Sequence, residues 1–223
     1  SKLRLFGEKE DNVKVILYRD NHAWCPYCQK VWLWLEFKRI PYKVEKVTMR
    51  CYGNKQRWYL QKVPSGMLPA IELNGKLITE SDDILLALEN TFGPLGSPMG
   101  TAKSLNLRNL ERSLFRNWCI WLCNQAVTIN QEERRRNNFK KVALMLENEL
   151  INVRNNWLDE HLDESGSLIP GTVDVIFIPY IERMNASLSY YKGISLRDEY
   201  PNINLWFNAL EKLEVYRGTQ SDF

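Results

Sequence analysis

The sequence predicts a small α/β domain joined to an all-helical one, and three observations carry that expectation. Up to Thr91 the apolar residues change period in the order βαβ, a short connector, then ββα. Gly93–Gly100 (GPLGSPMG) is rich in glycine and proline and reads as a linker. Every patterned segment after it has the spacing of a helix. Residues 1–92 are therefore expected to form the first domain, 93–101 the linker and 102–223 the helical domain.

The first strand is Val13–Tyr18, β-branched and aliphatic, bounded by Asp11-Asn12 and Asp20-Asn21. Cys25-Pro26-Tyr27-Cys28 follows, then the helix formers and aromatic bulk of Gln29–Arg39. Pro26 suits the first helical position, which makes Cys25 the N-cap. Ile40-Pro41 ends that helix, and Tyr42, Val44 and Val47 read as a half-buried second strand. A short helix is expected around Lys55–Gln61. The apolar runs on either side of Asn74-Gly75 give the strongest short hairpin signal, a type I′ turn. Ser81, followed by Asp82 and Asp83, is expected to cap a helix reaching about Thr91, acidic in its first turn as the helix dipole favours. Past the linker, helices are expected over Lys103–Asn130, Glu132–His161, Val173–Tyr191 and Asn202–Leu213.

Composition excludes several classes. In 223 residues, 44% of them hydrophobic, no stretch approaches about 18 uncharged apolar residues, so no membrane span is expected. With 11 glycines and 9 prolines the chain is not collagenous or of low complexity. A net charge of +3 does not imply nucleic acid, and the basic run Arg134-Arg135-Arg136 with Lys140-Lys141 lacks interleaved aromatics and reads as a solvated helix. Five cysteines, an odd number, fit a reducing compartment better than a disulfide scaffold. The expected location is cytoplasmic, or plastid or another organelle if a transit peptide has been removed ahead of Ser1.

Cys25-Pro26-Tyr27-Cys28 lies between strand and helix within a βαβ unit, the setting of a thioredoxin-like redox motif. A thiol at a helix N-terminus faces free backbone N–H groups and the positive end of the dipole, and both favour the thiolate, which is the nucleophile. Cys28, one turn on, can lend an S–H donor or attack a mixed disulfide formed on Cys25. A structural zinc site would need more ligands than His22 and His161 supply, and Cys119 and Cys123, flanking Trp121 in an apolar helix, are expected in the core; no metal is expected. Cys51 is assigned no role. Asp20 and His22 lie close enough in sequence to tune Cys25, but neither is assigned as a general base.

Further residues carry a family resemblance that covers nearly the whole chain: Lys62-Val63-Pro64-Ser65-Gly66-Met67-Leu68-Pro69, Glu80-Ser81-Asp82, Gly171-Thr172-Val173-Asp174 with Pro179 and Arg183, and Tyr200-Pro201-Asn202 with Trp206-Phe207. With the two-cysteine motif they resemble the cysteine-type classes of the cytosolic-type glutathione transferases (omega, lambda, iota and the dehydroascorbate reductases), and Cys-Pro-Tyr-Cys is also the glutaredoxin motif. The resemblance implies the glutathione transferase fold: a thioredoxin-like N-terminal domain and an all-α C-terminal domain. It implies that Cys25 forms a mixed disulfide with glutathione, with Cys28 as auxiliary and Pro26 and Tyr27 beside the ligand. Pro69 would follow a cis bond that turns the Leu68 backbone toward the cysteinyl part of glutathione. Glu80 and Ser81 would hold the γ-glutamyl end, where a carboxylate suits free helix N–H groups, and Lys62 the glycyl carboxylate.

Trp24, Trp118 and Trp121 are the candidates for an acceptor pocket. The departures are a cysteine where the tyrosine- and serine-type classes carry a hydroxyl, which favours thiol–disulfide exchange, and Gly171 where a Ser or Thr helix cap is usual. The expected activity is a glutathione-dependent thiol transferase or reductase acting on a small or protein-disulfide acceptor, with glutathione as co-substrate and a homodimer allowed. Conjugation to electrophiles, a hydrophobic-ligand-binding module and an N-terminal module of a longer protein are the alternatives.

Overall fold

An uninterrupted apolar strand has to be covered on both faces, and the segment around Leu17 is. In the computed structural model, which describes residues 2–153 and 155–220 and leaves Ser1, Arg154 and residues 221–223 outside, five strands make one sheet. They are β1 (Leu3–Arg4), β2 (Val15–Asp20), β3 (Tyr42–Val47), β4 (Ala70–Leu73) and β5 (Lys76–Thr79), in the order β1-β3-β2-β4-β5. The central β2 pairs in parallel with β3 (Val15 opposite Tyr42) and antiparallel with β4 (Val15 opposite Leu73). Asn74 and Gly75 both take positive φ, 51° and 78°, which gives the two-residue turn between β4 and β5 its expected type I′ form. β1 was not foreseen: two residues are too few to show a period.

Three helices complete this first unit: α1 (Pro26–Phe37), α2 (Arg57–Lys62) and α3 (Ser81–Phe92). Val31, Leu33, Trp34 and Leu35 of α1 are fully buried, so this helix is covered on every side. The unit runs from the N-terminus to Leu95, and the segment from Glu214 returns to it.

The second unit, Gly96–Leu213, holds α4 (Ala102–Cys123), α5 (Ile129–Ile151), the two-stranded ribbon β6 (Glu160–Leu162) and β7 (Leu168–Pro170), α6 (Thr172–Lys192), α7 (Leu196–Glu199) and α8 (Pro201–Leu210). The last helix, α9 (Glu214–Thr219), packs on α1 with Tyr216 and Thr219 buried. Thr101 and Thr128 cap α4 and α5 by accepting the N–H of Ser104 and Gln131. α5 buries Phe139, Val142, Ala143, Leu146 and Leu150, a single 3.6-residue stripe, whereas α6 is buried nearly all round and forms the middle of the unit.

The helix expected to continue to His161 stops at Ile151. Asn152 and Asn156 follow, and such side chains compete with the backbone for hydrogen bonds: Asn152 Nδ2 donates to Asn148 O, and Asn156 takes φ 63°. The turn of the β6–β7 ribbon is then built by Asp163, whose Oδ1 accepts the N–H groups of Ser165 and Ser167.

Two buried carboxylates tie the second unit together. Glu147 of α5 accepts the backbone N–H of Asn202 and of Ile203, both at 2.9 Å, and so caps α8 from another helix. Asp174 accepts the N–H of Leu158 and of Asp159 at 2.9 Å and the indole N–H of Trp206 at 2.8 Å. Asp159 in turn holds the N–H and hydroxyl of Ser97, each at 2.8 Å.

This clip explains the glycine cap of α6. A Cβ on Gly171 would stand 2.6 Å from both the carbonyl and a carboxylate oxygen of Asp159. Gly96, at φ 81°, meets the same carboxylate. Replacing Gly171 by Ala is expected to cost about 1–3 kcal/mol through overpacking. The change should appear as a lower urea midpoint at unchanged m-value.

Candidate active site

The first unit's chemistry is placed by one turn. β2 ends at Asp20, and the carboxylate of Asp20 accepts the N–H of Trp24 at 2.7 Å, folding residues 21–24 back so that α1 starts directly after them. Ala23 takes φ 59° within that turn. Cys25 stands at the N-cap of α1 with Pro26 at the first position, as the sequence predicts. Both motif thiols are buried: Cys25 is 7% exposed and Cys28 1%.

Their titration is split. The hydrogen bond from Cys28 lowers the Cys25 thiol; burial and the charge of Asp20 oppose it, and the backbone N–H groups of Cys28 and Tyr27 assist. Burial, first, and the neighbouring Cys25 push Cys28 well above the usual thiol range. The outer sulfur is thus the one that ionises more readily, and the inner one holds its proton more tightly. Alkylation of Cys25 by iodoacetamide, followed by mass spectrometry against pH, should show a midpoint below the roughly 8.5 of an ordinary thiol. Cys28→Ala should move it upward; a wild-type midpoint at or above 8.5 contradicts this.

The peptide bond between Leu68 and Pro69 is cis, and the Leu68 carbonyl lies 4.0 Å from Cys25 Sγ. The hydroxyl of Tyr59 fixes this loop by donating to the Met67 carbonyl at 2.6 Å. Glu80 takes the cap position of α3, at φ 63° and ψ 117°, and Ser81 is the first helical residue, so the helix starts one place earlier than expected. A non-glycine residue there is strained by about 1–3 kcal/mol, of the kind that collects at ligand sites. The buried Lys30 donates to Asp82 at 2.6 Å and so ties α1 to the start of α3.

Lys62 is engaged otherwise: its ammonium pairs with Glu72 and donates to the Tyr18 hydroxyl at 3.1 Å. Trp24 is 47% exposed and forms a cluster with His22 and Tyr52, the Trp24 and Tyr52 rings meeting edge-on at 5.2 Å. Among the described residues, Asp20, Cys25 and Cys28 also form a group of possible metal donors, with donor atoms within 4.8 Å of one another.

Residues 24–91 match the family model for the glutathione S-transferase N-terminal domain. Glutathione S-transferase L3 of Arabidopsis thaliana is 30% identical over 200 residues, covering 89% of this chain and 79% of that protein. The chain belongs to the glutathione S-transferase family. A second relative from the same plant, glutathione S-transferase DHAR3, chloroplastic, is 24% identical over 204 residues, 89% of this chain and 69% of its own. Among solved structures, glutathione transferase Omega 3C from Trametes versicolor superposes with a TM-score of 0.74 at 23% identity, covering 94% of this chain and 90% of that one. The fold class and the kinship expected from the motifs are both shown.

In this glutathione S-transferase the tryptophans of the helical unit are spent internally. Trp121 is 1% exposed, stacks near Phe139 and donates its indole N–H to Glu132 at 2.7 Å, so it is a core residue and not part of a pocket wall. Trp118, partly exposed, donates to the Ser187 hydroxyl at 3.0 Å. Cys119 and Cys123 are not in the core: Cys119 is half-buried and Cys123 exposed. Each lies two residues from Trp121, which on a helix is the opposite side. Sequence reasoning missed Tyr52 of the aromatic cluster and undervalued Asp20, whose signal was a lone acid at the end of an apolar strand, five positions before Cys25.

Proposed function

We propose that this chain is a glutathione-dependent thiol transferase or reductase working through Cys25. The observation that carries the reading is the split thiol pair: a nucleophile lowered by the S–H donor of Cys28 at a helix N-terminus. The Cys25 thiolate attacks the glutathione sulfur of a glutathionylated acceptor, and the acceptor leaves as its thiolate. A second glutathione then attacks the mixed disulfide, releasing glutathione disulfide and the Cys25 thiolate.

In this reading the Leu68 backbone pairs with the cysteinyl part of glutathione, and the N-terminus of α3 with Glu80 and Ser81 receives the γ-glutamyl end. Lys62 serves the glycyl carboxylate only by exchanging Glu72 for it. Trp24, with His22 and Tyr52, forms the wall an acceptor meets beside Cys25. No metal is needed for the exchange. No helix among the described residues is long and apolar enough to cross a membrane.

The test is intact-protein and peptide mass spectrometry after brief exposure to glutathione disulfide. One glutathionyl group on Cys25, removed by added glutathione, is the expected result. A protein that stays unmodified, or carries the group only on Cys51 or Cys123, overturns the reading.

A further inference from the structure

The start of α3 has to receive a carboxylate, yet its own side chains are acidic. Glu80, Asp82 and Asp83 place three carboxylates within four residues of chain, and all three residues are exposed. The Glu80 side chain accepts none of the first-turn N–H groups, so α3 has no side-chain cap of its own. The γ-glutamyl end of glutathione carries an ammonium and a carboxylate. Glu80 suits the ammonium, and the N–H groups of the helix end suit the carboxylate. An acid inside that first turn repels the same carboxylate unless a cation cancels its charge.

Lys30 supplies the cation. Its ammonium donates to Asp82 Oδ1 at 2.6 Å from a side chain 3% exposed, while Asp82 itself is half exposed. The ammonium also stands 5.9 Å from the centre of the Tyr27 ring, at the start of α1. The helix that carries Cys25 thus carries this charge as well, five residues on. A buried ion pair is a poor fastener for two helices. Taking lysine out of water costs about as much as the pair returns, and packed apolar side chains of similar volume hold as well. Such side chains would not neutralise Asp82.

We propose that Lys30 is a specificity-determining residue: its buried ammonium cancels the charge of Asp82 and so opens the start of α3 to the γ-glutamyl carboxylate. This rests on the reading that the start of α3 receives the γ-glutamyl end of glutathione. Burial matters to the effect, because a charge that water screens poorly acts strongly on its neighbours. With glutathione bound, its ammonium matches Glu80 and Lys30 matches Asp82. That leaves Asp83, whose exposed carboxylate is screened by water.

The experiment measures binding of S-methylglutathione, which cannot exchange disulfides, to the full chain by titration calorimetry. The comparison ligand is the same molecule without the γ-glutamyl carboxylate, S-methyl-(4-aminobutyryl)-cysteinylglycine. Lys30→Gln keeps a hydrogen-bond donor toward Asp82 and removes the charge. It should weaken S-methylglutathione about tenfold, the scale of one uncompensated like charge, and leave the carboxylate-free ligand within about twofold. Asp82→Ala breaks the same contact but removes the acid, and should bind S-methylglutathione at least as tightly as the wild type. Lys30→Met combined with Asp82→Ala should return close to the wild-type affinity.

A contact that merely fastens α1 to α3 is lost in Asp82→Ala and in the double variant alike. Weakening of S-methylglutathione by about fivefold or more in either therefore overturns the proposal, even should Lys30→Gln fail to fold. Unchanged binding in a folded Lys30→Gln, or equal weakening of both ligands, overturns it too. A wild type that binds the two ligands alike, or binds neither, removes the reading of the γ-glutamyl site and the proposal with it.

Discussion

Cys25→Ser should abolish glutathionyl transfer, lowering turnover of a glutathionylated peptide by roughly 10³-fold or more, the scale of losing a covalent nucleophile. A serine hydroxyl has the same shape but does not ionise near neutral pH, and the donors lined up on Cys25 Sγ then have no anion to stabilise. Because Cys25 is a cap whose side chain makes no cap hydrogen bond, the variant should melt within a few degrees of the wild type. The coupled assay and a melting curve together separate lost chemistry from lost fold. Full activity in Cys25→Ser would remove the thiol-transferase reading.

Asp174→Ala should be the most destabilising single change in the helical unit. It leaves the N–H groups of Leu158, Asp159 and Trp206 buried with no acceptor, at about 3–5 kcal/mol in total. In a chain of this size that lowers the melting temperature by roughly 10 °C. A drop below about 2 °C would mean the clip contributes little to the fold.

The same carboxyl gives a pH signature. Burial pushes it up to about 7, against three N–H groups that favour its ionised form. The native protein therefore holds a proton between the unfolded value of 3.8 and about 7 that the unfolded chain has lost. Stability from this group is complete below that window and falls as pH rises through it. The difference in melting temperature between wild type and Asp174→Asn should shift in that direction from pH 5 to 7.5 and level off above.

The sheet domain was readable because its signals are local. Asn74-Gly75 can hardly form anything but a tight hairpin, and Pro26 after Cys25 marks where α1 starts. The failures share a different cause. Trp121, Cys119 and Cys123 share one apolar helix, yet which faces the core depends on α5 and α6, which no local pattern reveals. Lys62 looked free in sequence, but Tyr18 sits opposite Ala70, and that register brings Glu72, the diagonal neighbour, to the same ammonium. Asp20 was seen and set aside, because its weight comes from an unfilled oxygen beside two sulfurs.

The return of α9 to α1 bears on how the protein is made. The helix that carries Cys25 and Cys28 leaves the ribosome well before one of its packing partners, which is synthesised more than 170 residues later, after the whole helical unit. Until Tyr216 and Thr219 arrive, one flank of α1 has no cover. The sheet domain is therefore not a continuous stretch of chain. A fragment ending at Leu95 lacks part of its own core, and a nascent chain completes the packing around its two motif thiols only once α9 has been made.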